Sequence, residues 1–207
     1  MSINTLTPSN IRYGSPFYKA ILSACSDPSV NHAIEVGGGM GDGATQAILR
    51  AFERKQKSKL KFYSIELSRA KFEKLEAALS SYDYAIAKNG NAISIGDYLV
   101  KDDIRTYYWA NDNDFRRTDL DHSIKRMNDE KEYIDINQYL FSSHLLDNIV
   151  AEINTIDFIL INGSEFSGSQ TYYQIDSEDP KFIALQDSSS LKNSQNYSDI
   201  HSDPSYS

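Results

Sequence analysis

Cysteine is almost missing from this chain. Cys25 is the single thiol in 207 residues. No disulfide can close within the chain, no cysteine pair has metal-ligand spacing, and a reducing compartment is the default expectation. Cys25 itself reads as a small core residue rather than a catalytic thiol. Long hydrophobic runs are missing too, and no stretch reaches transmembrane length. The opening segment, Met1 to Pro8, has neither the basic start nor the apolar run of a signal peptide, so the expected location is cytoplasmic. Positive charge is scarce: 21 Lys and Arg stand against 29 Asp and Glu, a formal net charge of -8. That disfavours a nucleic-acid surface, which needs clustered Lys and Arg. It does not exclude a small anionic ligand held by backbone N–H groups. No internal repeat and no Ser-His-Asp arrangement is visible.

What is present is a composition of 40% hydrophobic and 24% charged residues, which fits one globular α/β domain with a real core. Glycine is sparse, yet five of the ten fall within seven positions: Gly37, Gly38, Gly39, Gly41 and Gly43. They follow a short apolar stretch (Ala33, Ile34, Val36) that carries Glu35, and a helical pattern begins at Thr45. Strand, glycine turn, helix is the layout that holds a nucleotide-like ligand at a helix N-terminus.

The rest of the chain keeps that rhythm. A leading helix is expected within 12–30, strand one over Ala33–Val36 and a helix over Thr45–Arg54 with Ala47, Ile48, Ala51 and Phe52 at helical spacing. Lys55 to Lys59 form a basic turn. Strand two spans Lys61–Leu67, a helix follows with Phe72, Leu75, Ala78 and Leu79 on one face, and strand three is expected over Ala92–Ile95, ending at Gly96-Asp97. Alternation of strand and helix argues for a mostly parallel sheet with helices on both faces. Residues 98–150 are polar, aromatic and helix-prone, too long for a plain crossover, and read as an inserted helical cap. Strand four is Ile156–Ile161, a short helix covers Gly168–Ile175, and strand five is Lys181–Leu185. Residues 188–207 form a polar tail whose composition argues against another core element. The expected architecture is thus a single Rossmann-like three-layer sandwich over 1–187, with a helical insertion between strands three and four.

In an open parallel sheet, ligands sit outside the carboxyl ends of the strands. Glu66 ends strand two, about 25 residues past the glycines, near the offset at which a carboxylate takes ribose hydroxyls; a solvated strand-end acid is the alternative. Asp97 either accepts from an adenine amino group or caps a helix. Asn162 to Glu165 and Gln186-Asp187 follow strands four and five. Gly39-Met40-Gly41-Asp42-Gly43-Ala44 fits a dinucleotide fingerprint. Glu35, two residues before the first glycine, instead favours a cationic cofactor, and S-adenosylmethionine carries both a sulfonium and an amino group.

Glu35-Val36-Gly37-Gly38-Gly39-Met40-Gly41 resembles the first motif of the class I S-adenosylmethionine-dependent methyltransferases. Ile65-Glu66 is similar to their acidic second motif, and Ile95-Gly96-Asp97 to their Gly-Asp pair. Phe158 to Phe166 and Phe182 to Asp187 resemble their fourth- and fifth-strand segments. The resemblance covers about residues 30–100 and 155–195. It implies S-adenosylmethionine held by Glu35, Gly37, Gly38, Gly39, Gly41, Glu66, Asp97 and Asn162, and methyl transfer to a small-molecule or glycan-type acceptor by in-line displacement.

The chain departs from that family in two ways. The metal-binding branch has carboxylates where this chain has Asn162 and Gln186, with Asp187 alone retained. Hard cations want charged oxygen ligands, so a divalent metal is not expected. The family's sheet also closes with two further strands, whereas this chain turns polar after strand five, as in a shortened protein or a partial reading frame. Glu165 is the general-base candidate at the active edge. His144, within the apolar stretch Phe141 to Leu146, is either a partly buried structural histidine or a second base. Tyr107, Tyr108 and Trp109 either line an acceptor pocket or pack the cap, and Lys125–Glu132 reads as a solvated helix face. A non-catalytic binding module on the same fold and an NAD-dependent enzyme are the competing functions. No nucleic-acid or membrane partner is expected, and a homo-oligomer is left open.

Overall fold

A computed structural model describes residues 3–110, 117–139 and 144–206. Its centre is an all-parallel sheet of five strands: β1 (His32–Val36), β2 (Lys61–Glu66), β3 (Ala85–Asn89), β4 (Phe158–Ile161) and β5 (Phe182–Leu185). Their spatial order is β3-β2-β1-β4-β5. The sequence order reverses between β1 and β4, and a crevice opens at such a switch point on the carboxyl side of the strands. β1 and β4 are buried along nearly their whole length, as the central strands of a sheet covered on both faces must be.

Strand alternation sorts side chains onto two faces. Ala33, Phe62, Phe158 and Leu160 pack against α1 (Pro16–Ser26), α2 (Ala44–Phe52) and α3 (Arg69–Leu79). Ile34, Val36, Tyr63, Ile65, Ile159 and Ile161 face the other way, onto α6 (Leu145–Ile153), α7 (Gly168–Asp176) and the apolar residues of α4 (Lys101–Ala110) and α5 (Arg117–Asn137). Local chemistry starts the helices where expected. The Ser15 hydroxyl accepts from the Tyr18 N–H at 3.2 Å, ahead of Pro16 at the first turn, and the Ser68 hydroxyl accepts from the Lys71 N–H at 3.3 Å. Both are N-caps that satisfy donors the helix leaves unpaired.

The α/β sandwich is the architecture expected from sequence, with two corrections. Strand three is Ala85–Asn89, and Ala92–Ile95 lies in the connection after it. The period-two signal at β3 is weak because it is a half-covered edge strand. Ala92 and Ile93 are apolar for a different reason: they are buried under the cap. The polar tail also folds. After β5 the chain forms α8 (Ser194–Ser202), and Asn193 and Asn196 are fully buried. Hydrogen bonding, not apolar area, seats them. The Asn193 side-chain amide donates to the carbonyls of Ile161 (3.1 Å) and Gln186 (2.6 Å), and that of Asn196 donates to Gly168 (3.1 Å) and to the Asn193 Oδ1 (2.9 Å). Within the expected insertion, α6 packs its Leu146 and Ile149 into the sheet's core as a crossover helix would, so α4 and α5 are the added elements. Among the described residues no helix is long and apolar enough to cross a membrane.

Candidate functional site

A cleft of about 910 Å³ opens at the carboxyl ends of the strands. Its floor is the glycine turn. Gly37 leaves β1 at φ +92°, and a Cβ there would stand 2.5 Å from the Asn162 carbonyl oxygen, so only glycine lets the exits of β1 and β4 touch. Gly38 lies against Ser64 and Leu75, and Gly41 against Ala78 of α3. Both are close-packed positions; Gly38 still lines the cleft, whereas Gly41 is outside its lining. Gly39 is different. It has φ +57°, a Cβ there would meet only Asp42 Oδ1 at an ordinary 3.9 Å, and it lines the cleft. It is the place where a ligand can approach bare backbone.

Two buried acids flank that turn. Glu35 is fully buried, and its Oε2 accepts from the Ser64 hydroxyl at 2.6 Å and the Thr45 hydroxyl at 2.8 Å. Glu35 and Ser64 are register partners on β1 and β2. Burial pushes the Glu35 carboxyl up to about 7, against the two hydroxyls that lower it, with the neighbouring Glu66 charge adding to the rise. Glu66, at the end of β2, accepts from the Gly39 N–H and the Ser68 N–H, each at 2.8 Å. Burial raises its carboxyl as well. Each Glu66 oxygen retains a further lone-pair direction for a ligand hydroxyl.

The other expected residues divide. Asn162 lines the cleft beside Gly37. Asp97 does not: it is exposed in the short 3-10 turn Ile95–Asp97, because strand three ends earlier. The chain that leaves β3 brings Gly90 and buried Asn91 to the cleft instead. Glu165 is in the cleft, but its carboxylate is 3.0 Å from the Arg126 guanidinium. His144 is exposed, at the N-terminus of α6 beside Asp147 and away from the cleft. The apolar residues around it turn inward from α6, and Phe141 lies outside the described residues. Tyr107, Tyr108 and Trp109 are also not in the lining: Tyr107 donates to the Ser189 carbonyl, Tyr108 meets Ser123, and Trp109 is exposed.

Three contributions went unread in the sequence. His122, Arg126, Asp129, Glu130 and Tyr133 of α5 line the cleft, so one face of the charged helix, solvent-exposed over most of Lys125–Glu132 as expected, is also a wall of the cleft. Their spacing of four, three, one and three residues is a helical stripe, a signal available from sequence. Glu130 Oε1 is buried without a hydrogen-bond partner, and burial raises that carboxyl. The second contribution is the N-terminal strap, residues 3–10. Ser9 N–H donates to Asp42 Oδ2 at 2.8 Å. Asn4 Oδ1 accepts from the Ser68 hydroxyl at 2.9 Å and the Tyr133 hydroxyl at 3.1 Å, joining strap, α3 and α5 above Glu66. Nothing in the periodicity of this segment announces that role.

The third is Lys192. It is buried in the cleft wall, its Nζ 3.5 Å from Asn162 Oδ1 and 3.6 Å from Asp187 Oδ2. Burial lowers its affinity for a proton, opposed by the charges of Asp187 and Glu165. An ammonium beside one carboxylate (Asp187) and one amide (Asn162), with Gln186 in the same cleft lining, does not fit a divalent cation, which requires several anionic oxygens at short range. Among the described residues no group of three His, Cys, Asp or Glu side chains is placed to hold a metal. The donor set on the other side of the cleft, two buried acids around an open glycine, does fit a ligand with cationic and diol groups. Comparison with protein-family models, curated proteins and solved structures finds no match for this chain.

Proposed function

We propose that this chain binds S-adenosylmethionine and transfers its methyl group to a small-molecule or glycan-type acceptor, as the resemblance to class I methyltransferases implies. The observation that carries the reading is that two buried acids share the cleft with the glycine turn: Glu66 accepts from the Gly39 N–H, and Glu35 accepts from the Ser64 and Thr45 hydroxyls. Bound there, S-adenosylmethionine supplies an electrophilic methyl group on a sulfonium. Glu66 would take the ribose hydroxyls, Glu35 would complement the positive end, and the Gly37–Gly39 backbone would let the ligand lie flat on the turn. The strap and α5 would exclude water from the far wall, the main service a protein renders an in-line displacement.

Calorimetry with S-adenosylhomocysteine tests the reading, with micromolar binding as the expected result. A thermal-shift comparison with NADH and ATP separates the classes, because only a ligand bound by the folded state raises the melting temperature. A shift with NADH alone would assign the cleft to a dinucleotide enzyme, and no shift with S-adenosylhomocysteine removes the cofactor assignment.

A second reading, binding without catalysis, is favoured by one contact. Glu165, the general-base candidate, is already held by Arg126. Methyl transfer to any acceptor in a broad screen would eliminate it.

A further inference from the structure

The acceptor side of the cleft contains its own cation, and its seat is built by three elements. Lys192 follows β5, yet its side chain is only 5% exposed, whereas the Asp187 side chain it faces is 58% exposed. The chain makes room for it at Gly168: a Cβ there would lie 2.2 Å from the Lys192 carbonyl oxygen and 2.6 Å from its Cγ. The next residue, Asn193, clamps the segment to the carbonyls of Ile161 and Gln186, at the exits of β4 and β5. The amine therefore stands between two oxygen donors from two strand ends, Asn162 Oδ1 and Asp187 Oδ2. The Glu165 charge also acts on it.

We propose that the Lys192 ammonium is a built-in cation that occupies the position between the β4 and β5 exits where oxygen donors would otherwise gather a divalent ion, and that the acceptor is oriented against this ammonium without metal. The inference rests on the methyl-transfer reading for the acceptor but not for the cation. An ammonium offers three N–H donors and a fixed charge. Directed at an acceptor oxygen, it holds that atom in place by hydrogen bond and charge. The charges of Asp187 and Glu165 favour the ammonium form and oppose the lowering that burial brings. A divalent ion has no room while the ammonium is present, since it needs oxygen ligands at about 2.0–2.6 Å.

Manganese(II) titration read by electron paramagnetic resonance is the direct test. Wild-type protein is expected to show no saturable binding up to about 1 mM, weaker than the usual range of protein cation sites. Asn162→Asp alone should not change that, because the ammonium still fills the position. Asn162→Asp combined with Lys192→Met removes the ammonium and restores a second carboxylate, and is expected to bind manganese at least tenfold more tightly than wild type. Saturable binding by wild type, or equal binding by the single and double variants, would overturn the proposal. So would a folded double variant that gains no binding. Should the double variant fail to fold, Asn162→Asp combined with Lys192→Gln, which keeps a polar side chain in the seat but removes the charge, takes its place with the same expected gain. S-adenosylhomocysteine calorimetry on the same wild-type sample is the separate arm: its failure removes the methyl-transfer reading and leaves the cation result standing.

Discussion

Gly37 and Asn162 meet backbone to backbone where β1 and β4 leave the sheet, with the Asn162 carbonyl oxygen 2.5 Å from where a Gly37 Cβ would be. This contact sets the floor of the cleft. Gly37→Ala adds a methyl against main chain at φ +92°, where neither side can yield, and is expected to cost about 3 kcal/mol of stability. Gly39→Ala meets only Asp42 Oδ1 at 3.9 Å, an ordinary contact, so only its positive φ is strained, at about 1 kcal/mol. Urea unfolding distinguishes the two. Calorimetry tests the proposed site: Gly39→Ala should fold, yet lose tenfold or more in affinity for S-adenosylhomocysteine, because its new methyl would project where the proposed ligand would lie.

Glu35 gives the cleft a pH dependence near neutrality. Its carboxyl is raised by burial to about 7 in the folded chain, so the folded state holds a proton that the unfolded state has released. Stability from this group is intact below the ordinary glutamate range and is lost as pH rises toward and through 7. The whole effect is on the order of 3 kcal/mol. Glu35→Gln should flatten this part of the stability profile and gain most at pH 8, as measured by urea unfolding between pH 5 and 8. The ionised form is the one that complements a sulfonium. Affinity for S-adenosylmethionine should therefore rise from pH 6 to pH 8 in the wild type, and Glu35→Gln should abolish the rise.

Asn193 is the test of the folded tail. Asn193→Ala strips the carbonyls of Ile161 and Gln186 of a buried donor and should destabilise the protein by about 2 kcal/mol. A melting temperature equal to that of wild type would contradict the packing of this segment against β4 and β5.

Asn4 joins the strap to α3 and α5 through two hydroxyls. Asn4→Ala should cost about 1 kcal/mol or less globally, because its bonds are partly solvated. Its local effect should be larger. Limited proteolysis within residues 3–10 should accelerate, and S-adenosylhomocysteine should leave severalfold faster in stopped-flow measurements. Unchanged rates in both would separate the strap from ligand retention.

The resemblance singled out Glu35 and Glu66, and both stand at the cleft, because strand phase and glycine spacing are local properties that a sequence displays. Asp97, to which the same resemblance points, and His144, to which its apolar neighbours point, both lie outside the cleft. Asp97 lies away from a strand end because buried loop residues Ala92 and Ile93 imitate a strand, while β3, half-covered at the sheet edge, carries little alternation. The apolar neighbours of His144 turn inward while His144 itself is exposed. Glu165 reached the cleft but met Arg126 across from α5, a partner 39 positions earlier that no local pattern pairs with it.

The sequence by itself determined the layering and the turn: alternating strands and helices demand a parallel sheet covered on both faces, and five glycines after β1 demand a backbone without side chains there. Only the tertiary structure decided what surrounds that turn. Lys192, Asn193 and Asn196 look like solvent-facing tail residues, because burial of a polar side chain depends on partners far away in the chain. Their partners are main-chain carbonyls and strand-end oxygens that exist in one place only once β4 and β5 lie side by side. Hydrophobic burial leaves its mark as a period in the sequence; a polar seat formed between distant strand ends leaves none.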